Sequence, residues 1–169
     1  MSTIVPLRMH LVRPLLVTVL LLGFTAPAYA DFTFIIGSNR TPSSRAAKGF
    51  AVGGGGMIAT EFEYANNGED LDDEDGPTPG LRTFLGNLLL QTPFPVAGFQ
   101  PYGLVGTGVY RETLDAHQET AWAFHSGVGV KRRIFGPVMV RLDYRVLKLR
   151  GEPLHSNVHR VYTGFHVAF

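Results

Sequence analysis

The chain has 169 residues, enough for one domain of ordinary size. Its formal net charge of +1 gives no footing for nucleic acid. The absence of any cysteine excludes disulfides, thiol catalysis, cysteine-ligated metal and a lipid-modified N-terminal cysteine.

The first residues read as an export address. Arg8 and Arg13 stand without an acid in MSTIVPLRMHLVR, and an apolar core, PLLVTVLLLGFTA, follows. Ala28-Tyr29-Ala30 then puts small residues where a signal peptidase inspects them, so residues 1–30 are expected to be a signal peptide cleaved after Ala30. The apolar run is too short for a membrane anchor. Losing Arg8 and Arg13 takes the formal charge from +1 to −1. Residues 31–169 are the expected folded domain, and export without cysteine suits a bacterial envelope.

From Phe32 onward, period-two alternation dominates and predicts eight strands. The first, Phe32–Ser38, sets Phe32, Phe34 and Ile36 on one face. After the polar NRTPSSR, the second is Lys48–Gly55, with Phe50 and Val52 on a like face. The run Gly53–Gly56 is expected to make a tight reversal into the third, Met57–Ala65. There Thr60, Phe62 and Tyr64 oppose Glu61 and Glu63. The long polar loop ANNGEDLDDEDGPTPG leads to the fourth, Leu81–Gln91, whose leucines leave its facing open.

TPFPVAG turns into the fifth, Gln100–Arg111, where Val105, Thr107 and Val109 oppose Tyr102, Gly106, Gly108 and Tyr110. ETLDAHQE is expected to be a loop. In the sixth, Thr120–Arg132, Trp122, Phe124, Val128 and Val130 oppose Ala123, His125, Gly127, Gly129 and Lys131. IFGP turns into the seventh, Val138–Leu149, in which Val140, Leu142, Tyr144 and Val146 oppose Arg141, Asp143 and Arg145. GEPLHSN leads to the eighth, Arg160–Phe169. Short connections thus alternate with longer polar ones.

Each clear strand has one apolar face and one face mixing Gly, Ala and Tyr with charge. In a soluble sandwich or lipocalin-like barrel the apolar face is the core; in a transmembrane barrel it meets lipid. Three features favour the second arrangement. Gly106, Gly108, Ala123, Gly127 and Gly129 make room for long side chains inside a narrow barrel, whereas on a wetted face they would only weaken strands. Glu61 and Glu63 balance Arg141 and Arg145, as buried charges must. Segments of about ten residues, even in number, suit a tilted crossing, and spanning requires closure. The expected fold is all-β: an eight-stranded, antiparallel, closed transmembrane β-barrel preceded by a cleaved signal peptide.

PYGLVGTGVY at 101–110 followed by FHSGVGVKRRIFG resembles the central hairpin of OmpA/OmpX-type outer-membrane β-barrels, and VMVRLDYR with a last strand ending in Phe169 resembles their final hairpin. The likeness in plan covers 31–169, with sharp motifs only in 99–169. It implies a Gram-negative outer-membrane protein, with short turns in the periplasm and four longer loops outside. It also implies recognition of Tyr162, Gly164, Val167 and Phe169 by the barrel-insertion machinery, with periplasmic chaperones as transient partners. Some such barrels modify lipid A through His and Ser near the outer rim.

The candidates for that chemistry are His155-Ser156, His159 and His125-Ser126. A serine nucleophile needs a histidine within hydrogen-bond reach, but neighbours on a strand point to opposite faces, so His125 and Ser126 do not form the pair. No catalytic, cofactor or metal residue is therefore assigned, and no enzyme is expected. A lipid A acylase or deacylase, or a soluble periplasmic ligand-binding barrel, is the alternative. Glu69, Asp70, Asp72, Asp73, Glu74 and Asp75 crowd one loop, without EF-hand spacing, and are read as a solvated loop. Tyr64, Trp122 and Tyr144 are candidates for an interfacial aromatic belt, while Tyr110 falls on the inner face. The expected role is structural or adhesin-like, carried by loops 39–45 and 66–80, in a monomer without an open pore. The expected partners are outer-membrane lipid and lipopolysaccharide.

Overall fold

The structure is a computed structural model that describes residues 30–41, 43–71 and 76–169. The expected signal peptide lies outside the described residues except for Ala30, as do Asp72, Asp73, Glu74 and Asp75 of the acidic loop. Eight strands follow in order: β1 (Ala30–Asn39), β2 (Arg45–Gly55), β3 (Ile58–Asn67), β4 (Gly80–Gln91), β5 (Phe99–Leu114), β6 (His117–Phe135), β7 (Val138–Leu149) and β8 (Asn157–Ala168). Each pairs antiparallel with the next, and β8 pairs back with β1 to close a barrel.

The register fixes the shape. One rung runs from Phe32 through Val52, Phe62, Gly86, Thr107, Phe124 and Lys148 to Asn157. Phe32 itself pairs on β8 with Val167, a stagger of ten residues from 157 to 167. Such a stagger over eight strands tilts them by roughly 40° and leaves an interior only wide enough for side chains.

Alternation places the faces as expected. Phe34, Phe62, Val105, Val128 and Phe165 look outward, and the last four are more than half exposed. Glu61, Glu63, Arg141, Asp143 and Arg145 look inward and are buried. The facing of β4, open in sequence, is set by its neighbours: Leu81, Leu85 and Leu89 are buried inside, while Phe84, Leu88 and Leu90 lie outside.

Three expectations are corrected. Gly53, Gly54 and Gly55 are not a reversal but rungs of β2, paired with Glu61, Thr60 and Ala59, and only Gly56 and Met57 turn the chain. ETLDAHQE is not a loop: Glu112, Thr113 and Leu114 pair with Glu119, Gln118 and His117, and the turn is Asp115-Ala116 alone. This hairpin is polar on both faces, so it lacks the alternation that announces a strand. The loop end therefore carries three longer connections and one tight hairpin tip rather than four loops. Finally, β8 begins at Asn157, ahead of Arg160.

Not every glycine serves the same purpose. A Cβ on Gly108 would press on the Phe84 carbonyl oxygen and reach within 2.8 Å of Leu85 Cα, both backbone atoms that cannot yield locally. A Cβ on Gly86 would meet nothing closer than Phe62 at 3.7 Å. Gly108→Val is expected to destabilise the barrel by about 1–3 kcal/mol through overpacking, and Gly86→Val to be nearly neutral. Urea unfolding in lipid vesicles measures both.

Candidate functional site

The lumen is built from the inward residues of all eight strands. Lys131, Arg141, Arg145 and Arg160 face Glu61, Glu63, Glu112 and Asp143, four buried cations against four buried carboxylates. Charges out of water are tolerable only when paired and hydrogen-bonded; Arg141 and Arg145 are paired with Glu61, Glu63 and Asp143, whereas Arg160, Lys131 and Glu112 are held by neutral polar partners.

Toward the β1 N-terminus, Arg141 donates from Nη1 to Glu61 Oε2 at 2.5 Å and from Nε to Asp143 Oδ2 at 2.8 Å. The Tyr102 hydroxyl donates to Asp143 Oδ1, and Asn87 Nδ2 donates to Glu61 Oε1 at 3.0 Å. His125 Nε2 and Asn87 Oδ1 lie 2.8 Å apart, as do Thr33 Oγ1 and His166 Nδ1. Lys131 Nζ sits 5.3 Å over the Tyr102 ring.

One layer further along, Arg145 Nη1 donates to Glu63 Oε2. Its Nη2 makes no hydrogen bond and is held at 3.7 Å by Asp143 Oδ2 and Glu61 Oε1. Tyr162 links this pair to Arg160: its hydroxyl donates to Glu63 Oε1 at 3.3 Å and accepts from Arg160 Nη1 at 2.7 Å. Arg160 also donates to Asn39 Oδ1 at 2.6 Å and to Thr83 Oγ1 at 3.1 Å. Arg141, Arg145 and Arg160 are each 0% exposed. Ile35, Ala51, Leu85 and Ala123 are buried around them.

The loop end is tied to the barrel by carboxylates and a phenol. Glu112 Oε2 accepts from Leu154 N at 2.8 Å, and Glu119 Oε1 accepts from Glu152 N at 3.2 Å. The Tyr110 hydroxyl donates to Arg150 O at 2.6 Å. Arg45 Nη1 donates to the carbonyls of Thr78 and Pro79 at 3.0 and 2.8 Å, anchoring the base of the acidic loop. Asp70 and Thr78 exchange backbone hydrogen bonds at that base.

The residues singled out for hydrolytic chemistry are not brought together. His125 is inside against Asn87, while Ser126, its neighbour on β6, looks outward. His159 Nδ1 lies 2.7 Å from the Tyr144 hydroxyl on the outer wall. Ser156 offers its carbonyl to Leu149 N at 2.8 Å. Among the described residues, no group of three or more His, Asp or Glu is placed to hold a metal ion.

Tyr64, Trp122 and Tyr144 look outward and Tyr110 inward, as their alternation predicts. Of the C-terminal set, Tyr162 and Gly164 face the lumen, Val167 faces out, and Phe169 is bound to Ala30 by two backbone hydrogen bonds of 2.9 and 3.1 Å. Sequence reasoning missed Arg160, Asn39, Asn87 and Thr83. For Arg160 the signal was present, since alternation sets it on one face with Gly164 and His166.

No protein-family profile matches the chain, and no curated protein matches it in sequence. Solved structures do resemble it. Neisserial surface protein A has a TM-score of 0.63 at 12% identity, over 85% of this chain and 96% of that one. The N-terminal β-barrel domain of OprF from Pseudomonas aeruginosa has a TM-score of 0.59 at 11% identity, over 83% of this chain and 97% of its own. Ail of Yersinia pestis, in a phospholipid bilayer nanodisc, has a TM-score of 0.51 at 12% identity, over 84% and 99%. At such identities the likeness is one of fold. The neighbours are small eight-stranded outer-membrane barrels, and the shared architecture is that of OmpA/OmpX-type β-barrels.

Removing one partner of a buried ion pair strands the other. Arg145→Ala is expected to destabilise the barrel by about 3–5 kcal/mol. In the double variant Glu63→Gln/Arg145→Met, part of that loss is recovered, because no uncompensated carboxylate remains. Urea midpoints of Glu63→Gln, Arg145→Met and the double variant in vesicles give the coupling.

Proposed function

We propose that the chain is exported by its N-terminal signal peptide, cut after Ala30, and inserted in a Gram-negative outer membrane as a non-conducting barrel. There it acts through the loops at its outer end, in a structural or adhesin-like role. The observation that carries this reading is the inverted polarity. Phe62 and Val128 are 57% and 61% exposed on the outer wall, whereas three arginines are fully buried inside. A wall of that kind is stable only against hydrocarbon.

The buried charge layer supports the absence of a pore, since Arg141, Arg145, Arg160, Tyr102 and Tyr162 occupy the lumen. The three longer connections, 40–44, 68–79 and 150–156, and the hairpin tip at Asp115-Ala116 share one end. In this reading they are the part of the barrel that a partner outside the cell meets first. Two of the similar barrels are named for the cell surface and for attachment and invasion, which fits the same assignment.

The last strand supports passage through the barrel-insertion machinery. Tyr162, Gly164 and Val167 lie on β8, which closes the barrel against β1, and Phe169 follows that strand directly. Outer-membrane lipid and lipopolysaccharide surround the wall, and the chain works as a monomer without cofactor.

The expected product recovered from cells starts at Asp31, co-fractionates with the outer membrane and migrates faster on gels before heating than after. A chain found soluble without detergent would reject the reading. Planar bilayers containing it are expected to show no steady single-channel current. Replacing residues 69–75 with a Gly/Ser stretch is expected to leave insertion intact and to lower the attachment of expressing bacteria to cell monolayers.

A further inference from the structure

Between its rims the outer wall of the barrel is mostly apolar, and exposed cations stand at both rims: Arg132 and Arg133 at the end of β6, and Lys48, Arg82 and Arg111 at the loop end. Lys48, Asn66, Arg82 and Arg111 are consecutive cross-strand partners on β2, β3, β4 and β5. All four look outward, and Lys48, Arg82 and Arg111 are exposed. Among the described residues, no outward-facing strand position carries Asp or Glu. Arg82 and Arg111 stand directly opposite each other, the arrangement in which like charges repel. Neither forms an ion pair among the described residues; Arg111 only donates to Gln118 Oε1 at 2.6 Å. Each guanidinium is a planar fork of donors suited to a phosphate, and Arg82 and Arg111 project from facing positions with no carboxylate between them among the described residues.

The wall below them is notched. Gly86 lies four residues along β4 from Arg82, roughly 13 Å toward the other rim at 3.3 Å per residue. It leaves an open groove of about 500 Å³ on the lipid face, walled by Phe62, Leu88, Val105, Thr107 and Phe124. Nothing in the barrel requires glycine there, since a Cβ on Gly86 meets only ordinary contacts, in contrast to Gly106, Gly108, Gly127 and Gly129. A glycine in a strand with no neighbour to accommodate weakens the strand unless something else approaches the backbone.

From the charge pair and the groove together we infer that the β3–β6 wall is a binding site for one phosphorylated, multiply acylated glycolipid of the outer leaflet. Its phosphate bridges Arg82 and Arg111, Lys48 adds charge from the same rung, and an acyl chain lies in the Gly86 groove. The occupant is lipopolysaccharide's lipid A rather than a phospholipid, because the facing Arg82/Arg111 pair stands at the loop end and phosphomonoesters on sugar are the anions of that leaflet. The assignment rests on the loops facing outward, as proposed above.

Trp122, the single tryptophan, is exposed on β6, paired in register with Val109 and two residues along from the Arg111 rung. Its fluorescence reads the site. The folded protein in lipid-free detergent micelles is titrated with bisphosphorylated lipid A, with the same lipid stripped of its phosphates, and with phosphatidylglycerol. Saturable binding of the first is expected, with the other two at least about tenfold weaker, the ratio expected when a charge-assisted contact of about 1.4 kcal/mol is lost. Arg82→Gln/Arg111→Gln is expected to weaken lipid A binding to the level of the stripped lipid. Gly86→Leu, which fills the groove, is expected to weaken it severalfold without touching a charge. Arg132→Gln at the opposite rim removes the same charge and is expected to change nothing.

Equal affinity for the stripped lipid, or for the double variant, overturns the site. Equal affinity for phosphatidylglycerol overturns its assignment to the glycolipid, and an unaffected Gly86→Leu removes the groove from it. If the double variant loses heat-modifiable migration, the three-lipid comparison on the unaltered protein decides alone. A chain that never yields a heat-modifiable barrel fails the outer-membrane reading instead, before any lipid is added.

Discussion

Hydrocarbon offers no hydrogen bonds, so each backbone amide of a segment within it must find its partner inside the protein, at a penalty of several kcal/mol for each failure. The rest of the structure follows from that constraint. Strands satisfy it only if the sheet has no edge, which makes the β1–β8 seam obligatory. The C-terminus is then the second wall of the seam, with Phe169 hydrogen-bonded to Ala30 where most chains fray. Closure with a ten-residue stagger fixes the radius, and the radius fixes what the lumen holds.

A narrow lumen walled by strands could be filled with leucine, and one part of it is: Leu81, Leu85, Tyr110, Leu147 and Leu149 pack together near the loop end. The middle is filled with charge instead. Removing such charges from water is expensive, and pairing Arg141 and Arg145 with Glu61, Glu63 and Asp143 offsets part of that expense without making them a strong source of net stability. Their geometry explains the small residues opposite. Gly127 lets the Arg145 stem pass, Gly129 admits the Tyr102 ring beside Asp143, and Gly164 lies against the Arg141 stem. Glycine on one strand and arginine on another are two halves of one packing solution.

This coupling explains which features were legible in the chain alone. Wherever a strand separates lipid from lumen, its two faces differ in chemistry, and β3, β5, β6 and β7 could be read from alternation. Where both faces share a chemistry, the signal vanishes. β4 carries leucine on both sides, so its facing waited for the register with β3 and β5. The hairpin around Asp115-Ala116 is polar on both sides and passed for a loop. The signs of the luminal charges and their balance as a set were readable, while the pairing of Glu61 with Arg141 and of Glu63 with Arg145 is set by the barrel. What no single sequence contains is the third shell of partners, such as Arg160 with Asn39, residues 121 apart that meet only because the barrel closes.

A plugged lumen moves every possible function to the outside of the barrel, and the outside is not uniform. At one rim the connections are Gly56-Met57, 92–98 and Gly136-Pro137. The wall there ends in Phe99, Phe135 and Phe169, with Arg132 stacked 5.0 Å over the Phe99 ring. At the other rim, Glu112, Glu119, Tyr110 and Arg45 hold the longer connections against the barrel through backbone groups. Hydrogen bonds to backbone fix where a loop sits while leaving its side chains unspent. The barrel therefore delivers a surface whose position is set by the lumen-facing residues and whose chemistry is set by residues that the fold does not use. The cations of the upper wall belong to that second group: no strand pairing needs Arg82 beside Arg111, and electrostatics alone would separate them.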